Sequence, residues 1–263
     1  MSTGTQKKHR QKIHKLGSLP YLLAVPTFLL IWEALVRTLA LPAFILPAPQ
    51  QVGERFLAAL QDGTLARHTS ATLLEVLLGL SAGITAAIIL GYLLAKSRLF
   101  EQALSPFLVA SQAIPIVAIA PLLIIWFGPG IFSKILICAL IVFFPVLVNT
   151  VVGLRAVPST LHDLMRSMRA TPYQTLRYLE LPAALPIFLG GLRIGATLSV
   201  IGAVVGELVG ANRGLGFLIN VGRGQYDTAL VFAAVFTLIA LALLLYGLVL
   251  LLEKRFLRWQ KEK

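Results

Sequence analysis

The sequence predicts an all-α polytopic membrane protein. Three observations carry that expectation: 57% of the 263 residues are apolar, only 13% are charged, and several long stretches lack Asp, Glu, Lys and Arg altogether. Mean hydropathy is +0.85. A soluble domain carries about 25% charged residues, so this chain has too few polar groups to cover a surface in water. That excludes a soluble globular domain, a disordered chain and a disulfide-stapled scaffold. The single cysteine, Cys138, sits in the apolar run ILICALIVFF and has no cysteine in the chain to pair with.

A bilayer core about 30 Å thick needs about 20 helical residues at about 1.5 Å each. Four charge-free stretches meet that length: 76–95, 102–133, 135–154 and 228–252. Two further apolar segments, 19–40 and 187–210, carry isolated charges. The expected spans are therefore six, at 19–40, 73–95, 104–127, 133–154, 187–210 and 229–252. The first follows the basic tail KKHRQKIHK, but its apolar part exceeds a signal-peptide core and no small-x-small cleavage site follows, so it reads as a retained span. Within it Glu33 and Arg37 stand at i, i+4 and can pair on one face.

The formal net charge is +12, a value that would suggest nucleic acid in a soluble protein. Its distribution points to topology instead. With the N-terminus inside, the cytoplasmic segments hold 16 Lys and Arg and the outer ones 6, Lys134 counted among the outer loops. Arg193 is then the only basic residue well inside the spans. The expectation is a multi-pass protein of a cytoplasmic membrane, both termini inside, its basic segments facing lipid headgroups, with no nucleic-acid partner. The chain divides into a basic tail (1–18), a transmembrane domain (19–255) and a second tail (256–263).

One cytoplasmic connection, about 156–184, is longer than a simple turn requires. Thr160 is followed by Asp163 and Thr171 by Gln174, with Pro172 at the first helical position; both fit capping boxes. Leu181-Pro182 is expected to end the second short helix. Two helices joined around Arg169-Ala170-Thr171 thus project from the membrane, bearing Arg166, Arg169 and Arg177 beside Leu164, Met165 and Met168. Such a unit can dock a partner, lie on lipid, pack beneath the bundle or, least in keeping with a tether between two spans, bind DNA.

Within the spans, Gly191, Gly195, Gly202, Gly206 and Gly210 share one helical face with Ser199. Small residues at this spacing let helices approach closely, against a neighbouring span or across a dimer seam. Glu207 lies about one turn from the end of its span, where a carboxyl marks a pathway or a structural hydrogen bond. Glu75 stands near the start of the second span and reads as interfacial. Pro115 and Pro121 are expected to kink the third span, which also carries Ser111 and Gln112, and Asn149 adds a polar group to the fourth. Ser111, Gln112, Pro115, Asn149, Ser199 and Glu207 form the candidate translocation path; Gly195, Gly202, Gly206 and Gly210 the candidate packing face.

Four segments, in order, carry a resemblance: LPAPQQV, SQAIPIVAIAPLLIIWFG, DLMRSMRATPYQTLRYLELPAALP, and GGLRIGATLSVIGAVVGELVGANRGLGFLI. The third resembles the EAA loop of bacterial ABC-importer permeases. Together they are similar to the nitrate, sulfonate, taurine and vitamin-precursor branch of that family, over residues 20–255. The segment VVGELVGANRGLGFLINVGRGQYDTALVFAAV looks most like permeases for riboflavin or the thiamine pyrimidine precursor. The resemblance implies a type I ABC-importer permease fold in a bacterial inner membrane. It also implies a second permease copy or similar chain, ABC ATPase subunits, and an external solute-binding protein. On this footing Asp163, Leu164, Met165, Arg166, Arg169, Ala170, Thr171 and Pro172 are the ATPase-coupling residues. Two departures stand out: Leu164 and Met165 replace the family's small residues, and Arg169 occupies the place of its glycine.

The rest of the sequence agrees with a non-catalytic subunit. There is no phosphate-binding G-x-x-x-x-G-K-[ST], since none of the nine lysines follows a glycine. His9, His14, His68 and His162 form no metal-ligand spacing with the lone cysteine, no Ser/His/Asp arrangement can be argued, and no cofactor is expected. A secondary transporter would instead need coupling carboxylates near the midplane and an internal repeat. Few acids lie in the spans. The expected cargo is riboflavin, with the thiamine pyrimidine precursor next and a sulfonate, taurine or nitrate after it.

Overall fold

A computed structural model describes residues 19–258, with side chains from residue 24 onward. The basic tail at 1–18 and the last five residues lie outside the described residues. Every regular element among those described is helical. They are α1 (Leu19–Thr38), α2 (Pro49–Gln61), α3 (Thr64–Lys96), α4 (Arg98–Gln112), α5 (Ile116–Phe127), α6 (Ile131–Arg155), α7 (Ser159–Ser167) and α8 (Pro172–Thr175). A π-helical turn, Leu176–Glu180, leads into α9 (Leu181–Gly210), followed by α10 (Leu215–Gly224) and α11 (Thr228–Phe256).

Four of these are long and apolar enough to cross a membrane: α3, α6, the α8-to-α9 segment and α11. A fifth crossing is supplied if α4 and α5 count as one broken span. The expected count of six is not reached among the described residues, although α1 occupies the place of the first. There Glu33 and Arg37 form the anticipated pair, at 2.5 Å.

The third span departs furthest from expectation. Instead of one kinked helix, α4 and α5 meet at 98° across Ala113–Pro115. Pro115 supplies no N–H and pushes Ile114 out of the helical region, so the ladder cannot pass. Pro121 is accommodated inside α5 without a break. In the fifth span the opposite correction applies: Leu181-Pro182 does not end a helix. The π-turn immediately before it lengthens the hydrogen-bond step, and α9 continues through both Pro182 and Pro186 to Gly210. The outer connection before α3 also contains a helix not foreseen, α2, with Pro49 at its first position and the Gln51 side chain accepting the Ala48 N–H at 3.0 Å.

The centre of the bundle is α6, packed between α3 on one side and α9 on the other. Glycines make both approaches possible. On α9, a Cβ at Gly202 would stand 2.8 Å from the Cys138 Cα, one at Gly206 3.2 Å from Lys134, and one at Gly195 3.2 Å from Val142 and Val146. On α3, a Cβ at Gly79 would fall 2.2 Å from the Cys138 Cβ, and Gly83 and Gly91 press equally on Ala139 and Thr150. Gly210 meets Ile124 of α5. The glycine face of α9 is thus occupied by α5 and α6 of the same chain.

Outside this centre, α10 and α11 pack on α9, and α2 rests on α11. Large apolar side chains such as Leu30, Phe107, Ile125, Trp126 and Leu243 point outward and stay exposed. A belt of this kind is costly in water and comfortable in hydrocarbon.

Gly202→Leu should destabilise the chain by about 3 kcal/mol, because the neighbour it would strike is backbone rather than a movable side chain. Gly190→Ala, where a Cβ meets nothing within 4 Å, should change stability by less than about 1 kcal/mol. Thermal unfolding in detergent, followed by circular dichroism, checks the pair; equal midpoints would contradict the packing account.

Candidate functional site

The two ends of the bundle carry different chemistry, about 40 Å apart along α9 at about 1.5 Å per residue. At one end α7 and α8 project. Helix α7 begins at Ser159, with Pro158 as its N-cap and no side-chain cap, so the Thr160–Asp163 box expected from the sequence does not form. The second box does. Thr171 Oγ1 accepts the Gln174 N–H at 3.2 Å, and Gln174 Oε1 accepts the Thr171 N–H at 2.7 Å. Leu161, Leu164 and Met168, at helical spacing, form an exposed stripe on α7, while Met165 is half-buried. Asp163, Arg166 and Arg169 are exposed beside it, and Asp163 and Arg166 lie 3.5 Å apart. Leu161, Leu164 and Met168 therefore do not tuck beneath the bundle.

The link between α7 and α8 is a Schellman turn. The Ala170 N–H reaches the Met165 carbonyl and the Arg169 N–H the Arg166 carbonyl, both at 2.9 Å. The motif requires a left-handed residue, and Arg169 supplies it with φ of 54°. A non-glycine residue pays about 1 kcal/mol or more for that conformation. The loop keeps the turn despite lacking the glycine.

At the opposite end the buried polar groups converge. Glu207, on α9, is 0% exposed. It accepts the Thr72 hydroxyl of α3 and the Gly216 N–H of α10, each at 2.6 Å. Thr72 in turn accepts the Leu215 N–H at 2.8 Å, and His68 Nδ1 accepts the Gly214 N–H at 3.1 Å. Gly214 has φ of 114°, and a Cβ there would overlap the Glu207 carboxyl, so the chain turns over the carboxylate only because this position is glycine. The structural hydrogen bonds that the sequence allowed for Glu207 are formed.

Glu75 is 3% exposed rather than interfacial, and pairs at 3.1 Å with Lys134, itself 6% exposed. Lys134 does not lie in an outer loop: it stands in the first turn of α6, facing α3. Arg193 is consequently not the only basic group inside the spans, and it too is neutralised, by Glu253 of α11, with Tyr246 beneath its guanidinium. Removing two opposite charges from water together is tolerable where removing one is not.

The remaining path residues fall in three places. Ser111 and Gln112 close α4 and Pro115 opens α5, all at the 98° break; the Ser111 hydroxyl donates to the Leu108 carbonyl at 2.8 Å. Asn149 donates to the Pro145 carbonyl at 2.8 Å and packs on Gly191. Ser199 is fully buried, its hydroxyl on the Ala196 carbonyl and its own carbonyl accepting the Cys138 thiol at 3.1 Å. Sequence reasoning missed Thr72, Lys134 and Glu180. A lysine inside an apolar run was the available signal for Lys134; Thr72 and Glu180 gave none without their spatial partners.

Residues 83–258 match the family described as binding-protein-dependent transport system inner membrane component. The chain is 50% identical, over 88% of its length and 87% of the relative's, to the riboflavin transport system permease protein RibX of Chloroflexus aurantiacus. It is 39% identical to the formylaminopyrimidine transport permease protein ThiX of Halalkalibacterium halodurans, over 89% and 93% of the two chains. Among solved structures, an inward-facing form of the MetNI methionine ABC transporter superposes with a TM-score of 0.62 at 22% identity, covering 71% of this chain and 93% of that one. That likeness concerns the fold.

Two outcomes follow from the geometry. Lys134→Met should cost about 3–5 kcal/mol by stranding Glu75, whereas Lys134→Met combined with Glu75→Gln should recover most of it; thermal midpoints of the three proteins in detergent decide, and additive losses would contradict the pairing. Arg169→Gly should relieve the left-handed turn and slow hydrogen exchange across 159–175 by an amount equivalent to about 1 kcal/mol or less. Unchanged exchange would show that the turn carries no strain.

Proposed function

The chain belongs to the family of binding-protein-dependent transport system inner membrane components, and from that premise we propose how its two ends divide the work of an ATP-driven importer. It is the permease subunit, and a second copy or a similar chain completes the pathway. Two ABC ATPase subunits hydrolyse ATP and receive the α7–α8 loop through Asp163, Leu164, Met165, Arg166, Arg169, Ala170, Thr171 and Pro172. An external solute-binding protein delivers cargo at the opposite end. Both termini face the cytoplasm of a bacterium whose inner membrane holds the bundle, as the excess of Lys and Arg on the loop side supports.

The exposed stripe of Leu161, Leu164 and Met168 on a projecting helix supports docking into a protein cleft. Closure of the ATPases pulls that helix, and α9, continuous from Leu181 to Gly210, carries the displacement to the Glu207 end. The break between α4 and α5, with Ser111, Gln112 and Pro115, supplies a second moving wall, and Asn149, Ser199 and Glu207 line or brace the passage between them.

The cargo is riboflavin. The observation that carries this is the 50% identity, over nearly the full length of both chains, to a riboflavin transport permease. The pairing of Lys134 and Arg193 with carboxylates supports it, since neither of these two basic groups is left free to receive an anionic solute. The thiamine pyrimidine precursor is the second choice.

Expressing the permease with its ATPase and binding protein in a riboflavin auxotroph should restore growth on low riboflavin and drive uptake of the labelled vitamin. Uptake of labelled formylaminopyrimidine or taurine instead, with no riboflavin uptake, would reassign the cargo and leave the permease role standing.

A further inference from the structure

At the root of the projecting loop lies a carboxylate that the transport reading does not use. Glu180 ends the π-turn and is 1% exposed. The extra residue of such a turn offsets the helix face before it from the face after it by about 100°. Glu180 Oε1 receives Lys96 Nζ from the end of α3 and faces His162 Nε2 of α7 at 3.0 Å. Its other oxygen, Oε2, is buried with no hydrogen-bond partner among the described residues. A cavity of about 230 Å³ adjoins it, lined by Lys96, Leu154, Arg155, Val157, His162 and Glu180.

His162 is the only side chain of α7 that reaches this group. Its Nδ1 lies 3.4 Å from the Pro158 carbonyl while Nε2 faces the carboxylate, so both ring nitrogens look at atoms that can only accept. A neutral imidazole donates at one nitrogen and presents a lone pair at the other. The imidazolium donates at both, and its bond to the carboxylate is charge-assisted. The other charged groups facing the cluster are Lys96 from α3 and Arg155 from α6. Arg155 is already engaged by Glu101 of α4 at 2.5 and 2.8 Å and by the Leu94 carbonyl at 2.9 Å.

We propose that Glu180 and His162 are positioning residues that clamp α7 to α3 and α9, and that the clamp is fully made only when His162 is an imidazolium. Glu180 is the fixed half, held at the junction of α3 and α9. His162 is the releasable half, carried on the helix that the ATPase moves. Protonation tightens the linkage, so more of the ATPase stroke reaches the spans at lower pH, and the transporter slips more as pH rises. This rests on the reading of α7 as the ATPase contact.

The test uses the complete transporter in proteoliposomes, with uptake and ATP hydrolysis measured together between about pH 5.5 and 8. The quantity read is solute carried per ATP hydrolysed. The wild type should carry more per ATP as pH falls. His162→Gln, which keeps a donor but cannot titrate, should flatten that profile, and Glu180→Gln should lower the ratio by about tenfold at the acid end. A merely structural role would reduce the amount of assembled complex while leaving ratio and pH profile as in the wild type, and that result overturns the proposal. Should Glu180→Gln fail to assemble, the His162→Gln profile alone decides. A crosslink from Met168→Cys to the ATPase, formed while ratio and profile stay unchanged, sinks the clamp and spares the coupling reading; no crosslink overturns both.

Discussion

Everything else in the bundle depends on how closely two helices can approach α6. In hydrocarbon there is no water to expel from between helices, so association rests on van der Waals contact and hydrogen bonds. Close contact requires that one surface of each pair be nearly bare backbone. Here α3 and α9 both present glycines to α6, and Cys138, between Gly79 and Gly202, lies at the narrowest point of the stack. The close approach also brings the Cys138 thiol onto the Ser199 carbonyl and Lys134 onto Glu75, contacts that a wider spacing would lose.

The same arrangement explains where charge is placed. Three buried carboxyl groups sit toward the ends of the stack and join elements that packing has already brought together. Glu207 binds α9 to α3 and to the start of α10; Glu75 and Lys134 bind α3 to α6; Glu180 and Lys96 bind the root of α9 to the end of α3. The apolar middle carries the area, and the polar ends set the register.

Local rules in the sequence were read well where chemistry is local. The spans of α3, α6 and α11 follow from charge-free length, the Thr171–Gln174 cap from a four-residue pattern, and the Glu33–Arg37 pair from helical spacing. The glycine face of α9 was legible, but its partner was not, because periodicity identifies a face without saying what covers it. Proline misled in both directions. At Pro115 three residues of break turn a kink into a corner, whereas at Pro182 a π-turn, which has no sequence signature, lets the helix run on. Lys134 and Glu75 were misplaced for one reason: each looks interfacial alone, and only the fold shows that they face one another across α3 and α6. The loop residues proposed to meet the ATPase stand out through their motif, while the carboxylate beneath them does not.

The enclosure of Cys138 has a practical side. Its sulfur is buried in the stack, donates to a backbone carbonyl, and is the only thiol in the sequence. Alkylating and spin-labelling reagents attack an accessible thiolate, so the folded protein offers them nothing to react with. In probe chemistry the native chain is already a blank background, and a cysteine introduced at any exposed position becomes a single reporter without first removing the natural one.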